Sequence, residues 1–281
     1  MTNTVSLVEI LNEHLVSEQL QLPVFPPLAL EVQEMLACDD ADFDKISEKI
    51  AEDQVLASQL LRLANSAFFS GLNKVSRIRD SIMRLGSRQV TTLVMMITQQ
   101  QQYGSTDEYI HPYTDALWKH AASCAMGSKW LVERLGFGQL AEEAFIAGLV
   151  HDIGNLLLLK VLENIKSSGK HDLELSKPVL FEVLDHMHST QGALLLQRWN
   201  LPDVYCEAVG KHHEGDFNGN NTILATVRLV DSACRKLGIG LHQEPAVILA
   251  ATPEGQALEV SELLAAELEI MLEDTAHWAS L

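Results

Sequence analysis

His151 and Asp152 stand side by side where the apolar stretch AEEAFIAGLV runs into Ile153-Gly154. Imidazole beside carboxylate fills a core poorly and grips a metal well. Five further residues of ligand type lie along the chain: His120 upstream, then His188, His212, His213 and Asp231 downstream. A hydrolytic metal centre needs neutral imidazoles and ionised carboxylates around one or two cations, with a position left for water. His120 has Leu117, Trp118, Ala121 and Ala125 as neighbours, which predicts an inward side chain. Consecutive residues diverge by about 100° on a helix. His151 and Asp152 therefore reach one ion only if the helix ends there, an ending expected from Ile153-Gly154. Asp231 lies in the apolar run ILATVRLVDSAC, where a carboxylate is costly unless a cation or hydrogen bonds compensate it.

These four residues make a first donor set, and His188, His212 and His213 make a second, with Asp152 expected to bridge them. Two cations roughly 3.5–4 Å apart would clamp a phosphoryl group. Donors that are all nitrogen and oxygen suit iron, manganese or zinc, without choosing among them. Asp152 and Lys211 are the expected catalytic residues, Lys211 or Arg235 meeting the substrate phosphate. Metal-free alternatives stay open: a helix-end capping pair at His151-Asp152, and a buried hydrogen-bonded pair at His120 and Asp231. His186 is expected on the opposite helix face from His188. His14, His111, His171, His242 and His277 are expected on the surface or in loops, and Asp185 and Glu214 are weaker candidates for supporting the ligands.

Helical periodicity dominates the elements that must position these residues, and alternation of the kind strands need is nearly absent. Helices are expected over 5–20, 28–37, 44–51 and 54–66, with a break at Gly71. Pro23, Pro26 and Pro27 force the intervening stretch to be extended. Residues 76–102 predict two helices joined near Gly86. Their spacing over 81–96 mimics a helix-turn-helix, but there is no basic stripe. The interruption YGSTDEYIHP at 103–112 predicts a lobe boundary, giving an N-terminal lobe over 1–110 and a metal-binding lobe over 111–281. In the second lobe helices are expected over 113–135, ended by Gly136, then around Ile146, over 178–198, 203–211, 222–237, 245–250 and 259–272, with a buried run at Leu156–Leu159.

Composition narrows the partners. Twenty basic against 38 acidic residues give a net charge of -18, which repels a phosphate backbone and argues against DNA and anionic membranes. A small phosphorylated ligand or nucleotide remains compatible, because a bound cation reverses the local field. Cys38, Cys124, Cys206 and Cys234 form no C-x-x-C pair and predict reduced thiols in a cytoplasmic protein. The N-terminus lacks the basic region of a signal peptide, and no apolar run of membrane-spanning length is expected.

The order His120, His151-Asp152, Asp231 resembles the HD superfamily of metal-dependent phosphohydrolases, and His188, His212 and His213 are similar to its two-metal subgroup, which includes HD-GYP cyclic-di-GMP phosphodiesterases. The stretches LPVFPPLALEVQEML, ISEKIAEDQVLASQLLRLANSAFFSG and VSRIRDSIMRLGSRQV resemble the HDOD domain, a helical bacterial signalling module, LANSAFF most specifically. The resemblance covers about residues 20–235. It implies an all-α, two-lobed fold with the HD fold in the C-terminal lobe, and a regulatory setting. Many HDOD proteins have lost HD ligands, whereas this chain retains them. It departs from HD-GYP proteins at Asn155, where they carry lysine, and at GDFNGNN, which has no Gly-Tyr-Pro. Two functions follow as expectations: a metal-dependent phosphohydrolase, or a non-catalytic signalling module that binds a nucleotide or partner protein.

Overall fold

The computed structural model describes residues 7–16, 26–38, 40–65, 74–169, 175–215 and 219–279. They fall into two compact units, one of residues 24–103 and one of 1–23 with 104–281. Among the described residues there are helices and no strands. The expected break at Gly71, the Phe68-Phe69 part of LANSAFF and His171 lie outside the described residues.

The smaller unit holds α2 (Pro27–Ala37), α3 (Phe43–Ala51), α4 (Gln54–Ala64), α5 (Ile78–Leu85) and α6 (Ser87–Gln100), once α1 (Leu7–Val16) is counted with the other unit. Capping by short acidic side chains decides where α3 and α4 begin. The Asp42 carboxylate accepts from the backbone N–H groups of Asp44 and Lys45, and that of Asp53 from Val55 and Leu56. Ile46, Ile50, Leu56, Leu60, Ile82, Val90 and Val94 supply the core. Asn65 staples its unit: its amide donates to the Val75 carbonyl at 2.8 Å and its oxygen accepts from the Val75 N–H at 2.9 Å. Gly86, at φ 79°, makes the break between α5 and α6, a simple helical hairpin.

The larger unit adds α7 (His111–Arg134), α8 (Ala141–Val150), α9 (Ile153–Ser168), α10 (Lys177–Arg198), α11 (Asp203–Lys211), α12 (Thr222–Leu237), α13 (Pro253–Ala257) and α14 (Glu262–Ala279). Helix α1 packs on α9 in this unit. Helices α7 and α8 lie against each other, α9 against α10, α10 against α11, and α12 and α14 against α7. Leu131, Leu229, Val230, Leu249, Leu268 and Leu272 form one core between α7, α12 and α14. The helix expected over 245–250 is instead a 3-10 turn at Leu249–Ala251, and Pro253 then opens α13. Proline suits a first helical turn and disrupts an interior, so the regular helix can start only at residue 253.

Residues 138–168 form the one helical stretch among the described residues with the length and apolarity to cross a membrane, and 89% of its most apolar window is buried in the unit. Its apolar character reflects core burial on all sides of α8 and on much of α9.

Candidate metal centre

Two helix ends and three helix interiors supply the donors. His151 and Asp152 form the two-residue turn between α8 and α9, with Asp152 at φ -103° and ψ 14°. The break therefore falls on the pair itself. Gly154, expected as part of that ending, stands inside the first turn of α9 and has another role. A Cβ there would lie 1.9 Å from the His188 carbonyl oxygen. Gly192 meets it from the other side, a Cβ at that position falling 3.1 Å from the Gly154 nitrogen. Two glycines thus let α9 and α10 touch backbone to backbone, which brings His188 to the His151-Asp152 corner. His212 and His213 form the equivalent turn after α11. His120 projects from the interior of α7 and Asp231 from the interior of α12.

Each buried imidazole is fixed by one nitrogen. Nδ1 faces a backbone carbonyl in all four: Ile239 at 3.0 Å for His120, Gly148 at 2.8 Å for His151, Leu184 at 2.7 Å for His188 and Val209 at 2.7 Å for His212. A carbonyl only accepts, so Nδ1 carries a proton and Nε2 is the atom left facing the centre, with a lone pair in each neutral ring. Those lone pairs converge. His120 Nε2 lies 3.1 Å from His151 Nε2, and His188 Nε2 lies 3.3 Å from His212 Nε2. The carboxylates enter the same space. Asp231 Oδ1 is 3.2 Å and Asp152 Oδ2 3.5 Å from His120 Nε2. The other Asp152 oxygen, Oδ1, is 3.5 Å from His188 Nε2 and 3.4 Å from His212 Nε2. Asp152 thus turns one oxygen to each donor set, and it begins α9 without capping it.

Lone pairs facing one another across about 3 Å repel unless a positive charge sits among them. Asp152 Oδ1 is buried and has no hydrogen-bond donor, a costly condition for a carboxylate. Both observations fit one or two divalent cations, held by His120, His151, Asp231 and Asp152 on one side and by Asp152, His188, His212 and His213 on the other. Titration follows the same electrostatics. Burial pushes His151 down to about 4. Burial also works against a charged His120, but Asp231, Cys234 and the Asp152 charge together outweigh it and leave its pKa well above the ordinary value, so that without a metal its Nε2 holds a proton too. Burial would raise both carboxylates, yet the surrounding imidazoles hold Asp152 and Asp231 well below the usual range.

The centre opens into a cavity of about 250 Å³, its walls completed by Asn155, Asp185, Arg235, Ile239, Leu241 and His242. All seven sequence-expected ligands are brought to this centre. Lys211 is not: its ammonium pairs with Glu207 at 2.9 Å, and it does not line the cavity. Arg235 does line it, paired with Glu244 and, at 3.8 Å, with Asp231. His186 is exposed, as expected. His242 lies in a loop, as expected, but it also lines the cavity, with its Nε2 2.9 Å from Asp185. Sequence reasoning also passed over Arg228 and Glu254. The Arg228 guanidinium donates to the carbonyls of Lys211 and Glu214 at 3.1 and 2.7 Å, bracketing the His212-His213 turn, while Glu254 holds its Nε at 2.5 Å. An arginine within the apolar run of α12 was the available signal, since such a charge needs a buried partner.

A helical unit whose helix-end His-Asp pair meets imidazoles from three other helices defines the class to which the comparisons point. The HDOD domain family model matches residues 22–215, and the chain belongs to that family. An uncharacterized protein of Treponema pallidum (strain Nichols) is 27% identical over 197 residues, 68% of this chain, which match 37% of that protein's length. Solved structures of similar fold include an HDOD domain protein with unknown function from Geobacter sulfurreducens, with TM-score 0.72, 22% identity and 96% of each chain covered. Another is a provisionally named metal-dependent phosphohydrolase from Shewanella amazonensis SB2B, with TM-score 0.68, 19% identity, and coverage of 95% of this chain and 96% of that one.

Proposed function

We propose that the larger unit is a metal-dependent phosphohydrolase acting on a small phosphate ester or nucleotide. The observation that carries this is the convergence of four Nε2 lone pairs and two carboxylates, with Asp152 facing both donor sets. Divalent ions held there supply Lewis acidity toward a phosphoryl oxygen and lower the pKa of water. The protein's own groups do the rest. Asp152 keeps the two donor sets in register. Carbonyl contacts at Nδ1 hold every buried imidazole with Nε2 toward the centre, which removes the cost of reorienting rings during reaction. His242, braced by Asp185 at the cavity wall, is the group placed to protonate a departing alkoxide. The cavity, below the roughly 300–1,000 Å³ of drug-sized ligand pockets, favours the head of a small ester over an enclosed dinucleotide.

One observation favours a second reading, a signalling module whose ion is structural and which binds a nucleotide or partner protein. Among the described residues, the only guanidinium or ammonium lining the cavity is that of Arg235, and its charge is already met by Asp231 and Glu244. Elemental analysis of protein purified without chelator, with turnover of a generic phosphodiester and a nucleotide panel, separates the two. The hydrolase requires bound metal and turnover, both lost in His151→Ala. Metal without turnover on any substrate selects the module, and metal-free protein overturns both.

A further inference from the structure

Beside His120 lie two thiols. Cys124 is one helical turn after His120 on α7, and Cys234 is three residues after Asp231 on α12. Both are fully buried, on the boundary between the donor cluster and the core formed by Leu131, Leu229 and Leu268. Cys124 Sγ is 3.7 Å from Cys234 Sγ and 3.7 Å from His120 Nε2, and all three ligand atoms lie within 4.8 Å of one another. A tetrahedral ion with bonds of about 2.3 Å to sulfur and about 2.0–2.1 Å to nitrogen sets S···S edges of about 3.8 Å and S···N edges of about 3.6 Å. The S···S edge and the Cys124–His120 edge match those of such an ion.

We infer that Cys124, Cys234 and His120 form a second, thiophilic metal site, and that its occupation takes His120 away from the nitrogen–oxygen centre. The inference of exclusion rests on the proposed centre; the thiolate site stands without it. Charge favours it in this location. A divalent cation with two thiolates is neutral overall, which an apolar surround tolerates far better than a net charge. Thiolate donors select soft ions, whereas the carboxylate-rich set in front of His120 suits harder ones. On binding, the thiol protons and any proton on Nε2 of His120 leave to solvent, the freed imidazole lone pair joins the two thiolates on the ion, and no electron is transferred. The sites exclude each other because Nε2 of His120 has one lone pair, directed into a space both ions border. A soft ion therefore empties part of the front centre without displacing His188, His212 or His213.

Cadmium is the probe. In a chain with Cys38→Ser and Cys206→Ser, leaving Cys124 and Cys234 as its thiols, anaerobic cadmium titration is expected to give a thiolate-to-metal charge-transfer band that saturates at one equivalent, with release of protons. Cys124→Ala/Cys234→Ala in the otherwise native chain, checked for helicity by circular dichroism, is expected to lose that band and keep manganese binding. Cadmium-loaded protein is expected to hold less manganese than the metal-free chain. A missing band, or one that survives the double alanine change, overturns the thiophilic site. Undiminished manganese binding beside a saturated cadmium band overturns the exclusion alone. Failure of the phosphohydrolase reading leaves the cadmium band as it is, since that readout needs no turnover.

Discussion

His151 and His120 are 3.1 Å apart, yet their affinities for a proton diverge: His120 hydrogen-bonds to Asp231, whereas burial dominates at His151, which Asp231 reaches only through its charge. His151 falls to about 4, below the ordinary 6.5 of an unfolded chain. Between pH 6.5 and 4 the unfolded state therefore binds more protons, and stability decreases as pH falls through that window. Asp152 and Asp231, both depressed, extend the loss below the usual carboxylate range, and raised His120 has the opposite sign, losing its contribution as pH rises through its folded value. For chelator-stripped protein, urea midpoints should drop on acidification from 6.5 to 4, with His151 accounting for on the order of 1–3 kcal/mol. His151→Gln should flatten that slope; an unchanged slope would show that burial does not set the His151 pKa. His242 invites a kinetic test. His242→Gln should lower kcat by about 10²–10⁴ for esters with poor leaving groups and much less for nitrophenyl esters, with metal content unchanged. Equal losses on both would remove it as the proton donor.

At the scale of helices, the α9–α10 contact and the Arg228–Glu254 clamp decide whether the ligands meet. Gly154→Ala puts a methyl group 1.9 Å from a backbone oxygen that no rotamer change can move. The cost should reach or exceed the roughly 1–3 kcal/mol of ordinary overpacking. Thermal melting and metal content should fall together; a stable, metal-replete variant would contradict the crossing described. Arg228→Ala, or Glu254→Gln, frees the His212-His213 turn and should weaken metal binding about 10–100-fold while His151 and Asp152 stay in place. Arg228→Lys restores the charge without the fork and should recover little of it. Much of this level was legible in the sequence. Periodicity marked most helices to within a few residues, and ligand types in apolar runs marked His120 and Asp231. The α9–α10 crossing leaves one local trace in the sequence, a glycine, Gly192, one turn after His188. What stayed hidden depends on pairs distant in the chain: Gly154 against His188, Arg228 against Glu254, Asp185 against His242. Nothing local distinguishes their partners. Cys124 and Cys234 were closer to view, since their offsets from His120 and Asp231 put each on a ligand's helix face.

For the whole molecule, the charge of -18 and the centre's converging lone pairs make divalent cations a general stabiliser. Any ion that binds the folded chain alone raises its stability by about 2.7 kcal/mol at a free concentration 100-fold above Kd. Manganese should raise the melting temperature of stripped protein in a concentration-dependent way, and in Asp152→Asn the effect should largely disappear. An equal shift in that variant would assign the stabilisation to surface carboxylates.

The carbonyl that orients His120 belongs to Ile239, in the turn following α12, and Asp231 itself lies beyond the residues matched by the HDOD family model. Gly240 follows at φ +121°, where a Cβ would crowd the His120 ring at 3.0 Å. Whoever grafts this module into a fusion protein, cutting at the family border, would discard both the anionic neighbour and the peptide oxygen that sets the ring's tautomer. The imidazole could then swing its N–H inward and become a hydrogen-bond donor. Transplants should therefore carry the chain past Gly240.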